Sequence, residues 1–247
     1  GDGRDIRITT SNGLDEVPFE IVSIDTGSDT GELHFKAPTL SDTADTEFFI
    51  YFDNPAATAY ADTDPFGRNN VWDNGFIAVY HLEEDGSTTN FIDSTGNGND
   101  GVGASLDGAD QVAGKIPGNA LNLDGNPEAV SAPDSADFDW TTGSISGWLQ
   151  TDTLTSDGTL ASRGGGGSSE MLVWFDEGVD DIVCAASIGG SFYNGSGGGS
   201  YTTRTTGEWL HGFCSWDGTS LTNYSNGVQN FTTSAPSGSL LNDANSA

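Results

Sequence analysis

The oxygen-rich run DSTGNGNDG at residues 93–101 gathers side chains that could hold a cation. Asp93, Asn97 and Asp100 offer carboxylate and amide oxygens, and calcium takes about six to eight such hard donors. The run lacks both the spacing and the terminal bidentate Glu of an EF-hand, so that class of site is excluded. A second reading is equally open. Asn-Gly and Gly-Asn steps supply the positive-φ positions of a tight connection, and a short acid such as Asp93 accepts hydrogen bonds from amides of its own loop.

Other reactive groups are dispersed. Glycoside hydrolysis needs two carboxyls facing one bond. Glu83-Glu84-Asp85 and Asp176-Glu177 are contiguous, so on a strand they would point to alternate faces. His34, His81 and His211 lie far apart in sequence, and the expectation is that they are structural. No Ser stands in a G-x-S-x-G elbow. Cys184 and Cys214 lack the close His or Cys partners of a metal site; a disulfide between facing strands and two buried thiols both satisfy the sequence. Asn194, Asn223 and Asn230 open N-x-S/T sequons, acceptors for N-glycosylation in an exported chain. Sugar rings stack on aromatic faces; Trp72, Trp140, Trp174, Phe192, Tyr193 and Tyr201 lie near strand ends or in loops, and Trp140, Trp174, Tyr193 and Tyr201 are the ligand-binding candidates. Trp148, Trp209 and Trp216 are assigned to the core.

Charge narrows the partners. The 37 acids outnumber 7 bases, for a formal net charge of −30, and Lys occurs only at positions 36 and 115. Such a field repels nucleic acid and anionic membranes and attracts cations. The acids are scattered, which describes a hydrated surface suited to a marine or high-salt medium. No apolar run approaches the ~20 residues that span a bilayer.

Period-2 alternation and short apolar runs dominate, and helical periodicity is nearly absent. Strands are expected at 4–8, 17–24, 31–37 and 47–54, then again at 76–84 (FIAVYHLEE) and 119–125. Further strands fall at 145–152, 158–164, 171–177, 181–190, 209–216, 220–225 and 228–233. Asp-Gly at 217–218 and Asn-Gly at 226–227 join the last three as a meander. In EWLHGFCSW, Trp209, His211 and Phe213 share one face, and Leu210, Cys214 and Trp216 share the other. The Pro-containing passage 54–70 is linker-like and places a boundary between about residues 62 and 78, giving a small β domain at 1–75 and a sandwich at 76–247. The glycine-rich tracts at 164–169 and 195–200 read as loop tips, without the Lys and helix of a phosphate cradle.

From Phe76 onward an ordered series, VYHLEE, DSTGNGNDG, GKIPGNALNLDG, DSADFDW with SISGWLQTD, TLASRGG and GEWLHGFCSWDGTSLTNYSNGV, resembles the laminin-G-like, concanavalin A-like jelly roll. RDIRITTSNG, LDEVPFEI, GELHFKAP and TEFFIYFDNP resemble a small β domain of unknown function that precedes such jelly rolls. The resemblance implies an all-β fold truncated at both ends, and DSTGNGNDG as the turn after a first long strand. It also implies a structural calcium as cofactor. Some relatives are polysaccharide hydrolases with E-x-D-x-x-E on one strand, a string missing here. The expected function is therefore a non-catalytic module on an extracellular, cell or virion surface that binds glycans. The alternatives are a structural or decorating part of a virion, filament or surface assembly, with neighbouring protein subunits as partners, and a jelly-roll hydrolase.

Overall fold

The computed structural model describes residues 2–116, 118–124, 127–164, 171–195, 204–234 and 240. The fold is all-β, with only two single-turn 3-10 segments among the described residues, at Arg68–Asn70 and Ala136–Phe138. No helix among these residues is long and apolar enough to cross a membrane. Contacts divide the chain into two compact units, Gly1–Pro133 and Asp134–Ala247. That division does not fall at 75/76, where composition places it: residues 76–133 pack with the N-terminal strands.

The first unit contains β1 (Arg7–Thr10), β2 (Phe19–Asp25), β3 (Thr30–Phe35), β4 (Phe48–Tyr51), β5 (Asn90–Phe91), β6 (Gly101–Ala104), β7 (Gln111–Ala113), β8 (Asn119–Leu121) and β9 (Ala129–Ser131). These make small antiparallel sheets, β1-β4, β2-β3, β5-β6-β9 and β7-β8. Alternation along the β2-β3 hairpin sorts its side chains. Phe19, Ile21 and Leu33 pack with Ile8 and Val17 in a small apolar core. Glu20, opposite His34 in register, projects to the other side together with Glu32, two residues before His34 on the same strand.

The second unit holds β10 (Gly143–Gln150), β11 (Gly158–Arg163), β12 (Met171–Asp176), β13 (Asp181–Ile188), β14 (Ser191–Asn194), β15 (Trp209–Trp216), β16 (Ser220–Ser225) and β17 (Val228–Ser234). They form two four-stranded antiparallel sheets, β10-β15-β16-β17 and β11-β12-β13-β14. Met171, Val173, Ile182, Ala186 and Ile188 from one sheet meet Leu210, Trp216 and Leu221 from the other in a single core. Cys184 on β13 and Cys214 on β15 are joined as a disulfide across that core, Cα atoms 5.5 Å apart. The β15 faces divide as the alternation predicts: Leu210, Cys214 and Trp216 are buried, while Trp209, His211 and Phe213 are half-buried on the other face. Asn226 and Gly227, with φ of 49° and 77°, make the turn between β16 and β17, a conformation Asn and Gly adopt at least cost.

Two expectations change. Trp148 and Trp209 are not in the core. The neighbours of Trp148 on β10 alternate, and its ring lies 42% exposed on the outer face beside His211, centroids 5.2 Å apart; Trp209 is half-buried on the face of β15 opposite Leu210, Cys214 and Trp216. FIAVYHLEE forms no strand. Leu82 takes a φ of 58°, which interrupts an extended run, and the backbone upstream of it is bonded mainly by side chains, with one amide, that of Ser94, donating to the Val79 carbonyl.

Candidate functional site

Those side chains come from DSTGNGNDG. Asp93 Oδ1 accepts from the amides of Val79 (3.0 Å) and Thr95 (2.9 Å), and Oδ2 accepts from Thr95 Oγ1 (2.7 Å) and the Asn99 amide (3.0 Å). Asn97 Nδ2 donates to the carbonyls of Phe76 and Ile77, Asn99 Nδ2 donates to Ile77, and Asp100 Oδ1 accepts from the Asp93 amide. The motif thus clamps residues 76–79, and all four lone-pair directions of the buried Asp93 carboxylate are engaged. A calcium ion ligated by Asp93 would have to displace donors from that carboxylate. Nearby, the Tyr80 hydroxyl donates to the Asn99 carbonyl, and burial, with the charges of Asp93 and Asp100, pushes that phenol up to about 12.

The clamp also delivers the next residues to the polar face of the β2-β3 hairpin. Glu20, 6% exposed, is the hub: Oε2 accepts from Trp72 Nε1 (2.7 Å) and lies 3.1 Å from His81 Nε2, while Oε1 accepts from Ser94 Oγ (2.6 Å). Burial pushes the Glu20 carboxyl up, but the bonds from His81, Ser94 and Trp72 outweigh it and hold it below the usual carboxylate range. His34 stacks on His81 with centroids 4.8 Å apart and planes 22° apart, and Trp72 flanks both rings. Glu32 Oε1 lies 2.6 Å from His34 Nε2 and 3.8 Å from His81 Nδ1. Glu83 stands close by, accepting from the Asn119 amide (2.6 Å); burial, and to a lesser degree the charge of Glu32, raises it.

This cluster borders a cavity of about 500 Å³ within the first unit, walled by β2, the turn at 2–4, the loop at 59–68 and residues 81–84. Five of its lining residues are acids and two, Arg4 and Arg68, are guanidinium cations. The cations are already paired in part, Arg4 with Asp2 and Arg68 with Asp62. Two buried atoms in the wall have no hydrogen-bond partner: Arg68 Nε, a donor, and Glu84 Oε2, an acceptor. A separate group, Asp110, Asp124 and Glu128, brings three carboxylates together without an imidazole.

Trp140 packs on the core with the Arg163 guanidinium 4.7 Å from its ring centroid, and Tyr193 also packs on the core. Trp174 is half-buried, between the fully buried Val173 and Phe175 on β12. Tyr201 and most of both glycine-rich tracts lie outside the described residues. Two of the three sequons are closed by burial. Asn223 Nδ2 donates to the Ile182 carbonyl, and Asn230 Nδ2 donates to Asp181 and Ser225, so the amide nitrogen that would carry a glycan is inside the fold. Asn194 is exposed.

Sequence reading missed that Glu20, Glu32, His34 and His81 gather beside Trp72. A signal was present: F-E-I on β2 and E-L-H on β3 place polar groups on one face and apolar groups on the other. Only the register sets Glu20 against His34.

Neither a protein-family model nor a curated protein sequence matches the chain. Among solved structures it is similar to domain 4 of AbnA, a GH43 extracellular arabinanase from Geobacillus stearothermophilus, in complex with arabinotriose. The identity is 24%, the match covers 68% of this chain and 80% of that one, and the TM-score is 0.46. A likeness at this level speaks for neither ligand nor activity.

Proposed function

We propose that this chain is a non-catalytic recognition module, working on an extracellular, cell or virion surface, that binds a neutral glycan in the cavity of the first unit. The carrying observation is the pair of unmet atoms in the wall, Arg68 Nε and Glu84 Oε2. Buried polar atoms are rarely left unpaired, and hydroxyls, which both donate and accept, are the groups that can meet either kind. A polyhydroxylated ligand offers such groups in series, and the excess of acids in the wall disfavours anionic sugars. Catalysis is the lesser reading. Glu20 already accepts from Trp72, Ser94 and His81, bonds that hold its carboxyl low and so make it a weaker nucleophile or base. What supports the laminin-G-like reading of the second unit is its pair of antiparallel sheets closed over one apolar core.

Affinity electrophoresis through gels of neutral polysaccharides tests the proposal. At least one polysaccharide is expected to retard the protein. Arg68→Ala and Glu84→Gln should each weaken that retardation about tenfold or more, as expected for lost hydrogen bonds to charged groups. No retardation by any neutral polysaccharide, or retardation indifferent to both substitutions, would overturn it.

A second reading, a structural part of an assembly, is favoured by one feature of the first unit. Phe49, Ile50, Tyr51 and Phe52 are consecutive and 44–72% exposed on and beyond β4. Such a run suits a protein neighbour.

A further inference from the structure

We infer that Glu32, His34 and His81 form a binding site for one transition-metal dication of the zinc class, with Glu20 as the outer carboxylate that orients His81. The three donor atoms lie within 4.8 Å of one another. Two imidazoles and a carboxylate are a donor set for zinc-class ions, whereas calcium and magnesium take oxygens. The site differs in both place and chemistry from the DSTGNGNDG loop.

Hydrogen-bond logic fixes the His81 ring. Trp72 Nε1 and Ser94 Oγ both donate to Glu20, and His81 Nε2, 3.1 Å from the same Oε2, is placed to donate to it as well. In the neutral ring Nδ1 is then a lone pair. It faces Glu32 Oε1 at 3.8 Å, beyond hydrogen-bond range, so two acceptors confront each other in a buried setting. A cation between them turns that opposition into coordination. His34 brings Nε2 to the same oxygen at 2.6 Å, and ring stacking holds the two imidazoles together. A metal-bound histidine whose second nitrogen donates to a carboxylate is the usual outer support of such sites, and here Trp72 and Ser94 brace the carboxylate in turn. Gly118 leaves room beside them: a Cβ there would collide with Glu83 Oε1 and come within 3.2 Å of Glu32 Oε2. An acidic surface attracts dications everywhere, but imidazoles are scarce in this chain; of its three histidines, two meet here.

The third, His211, supplies an internal control. Full-length chain labelled with ¹⁵N-histidine is stripped with chelator, and zinc is added to one equivalent. His34 Nε2 and His81 Nδ1 resonances are expected to move, with His211 unmoved. Cobalt(II) should give a visible ligand-field band that saturates at one equivalent. His81→Ala should abolish the band, and Glu20→Gln should keep it while weakening affinity roughly 10- to 100-fold. Imidazole resonances that stay in place through several equivalents of zinc, or that move equally at His211, would overturn the inference without any variant having to fold. A cobalt band that survives His81→Ala would do the same. None of these readouts involves sugar, Arg68 or Glu84, so the site stands or falls apart from the glycan reading.

Discussion

Asp181 in the second unit and Glu20 in the first are both buried under several donors, and the two carboxylates are put to different use. In the second unit Asp181, fully buried, accepts from Arg204 Nε (3.1 Å) and Nη2 (2.5 Å), Ser225 Oγ (2.8 Å) and Asn230 Nδ2 (3.1 Å). Its partner is a guanidinium, permanently charged and without a lone pair, so the network is closed and can only hold strands together. In the first unit the hub Glu20 is nearly as buried, but one of its partners is an imidazole with a second nitrogen, and it stands in a cavity wall. Burial of an acid therefore does not mark function by itself; the chemistry left over on its partners does. The units also satisfy backbone differently. The sandwich uses ladders of up to eight residues, whereas the first unit uses side chains of one turn, Asp93, Asn97 and Asn99, in place of a ladder along 76–79.

The largest expected effect lies in the closed network. Asp181→Ala leaves Arg204 buried and uncompensated and should lower the second unit's unfolding free energy by about 3–5 kcal/mol in urea titrations. The double change Asp181→Leu with Arg204→Met should recover most of that loss; a double variant as unstable as the single one would show that the pair does more than neutralise itself. Next comes the first unit's clamp. Asp93→Ala strands the amides of Val79, Thr95 and Asn99 and should cost about 2–3 kcal/mol, read by hydrogen exchange at those amides. If the loop were instead held by calcium, added calcium would slow exchange at the same amides in wild-type protein.

The smallest effect is at the surface turn after β15. Asp217 is held below its ordinary range by the Thr219 hydroxyl and the amides of Thr219 and Ser220. A depressed carboxyl stabilises the fold above its unfolded pKa and loses that contribution as pH falls through the folded value. The difference in melting temperature between wild type and Asp217→Asn should therefore shrink as pH drops below about 4. A difference that stays constant into acid would remove this turn from the pH response.

Much of the fold was legible because period-2 alternation is local. The β15 faces, the Asn226-Gly227 turn and the strands at 171–176 and 181–188 follow from residue types a few positions apart. FIAVYHLEE misled for a tertiary reason: its apolar pattern suits a strand, but the carbonyls of Phe76 and Ile77 accept from side chains of a turn about 20 residues later. Trp148 misled because a strand with one solvent face has room for an aromatic ring outside, and alternation alone does not say which face is covered.

From the sequence alone came the all-β class, the acidic surface and the turn-forming character of DSTGNGNDG, since each depends on composition or on neighbours along the chain. Tertiary structure decided which partner each buried acid meets. His81 reaches Glu20 across 61 positions and Ser94 reaches it across 74. Alternation tells a side chain which face it occupies, but only strand register and the closure of long connections decide what stands opposite.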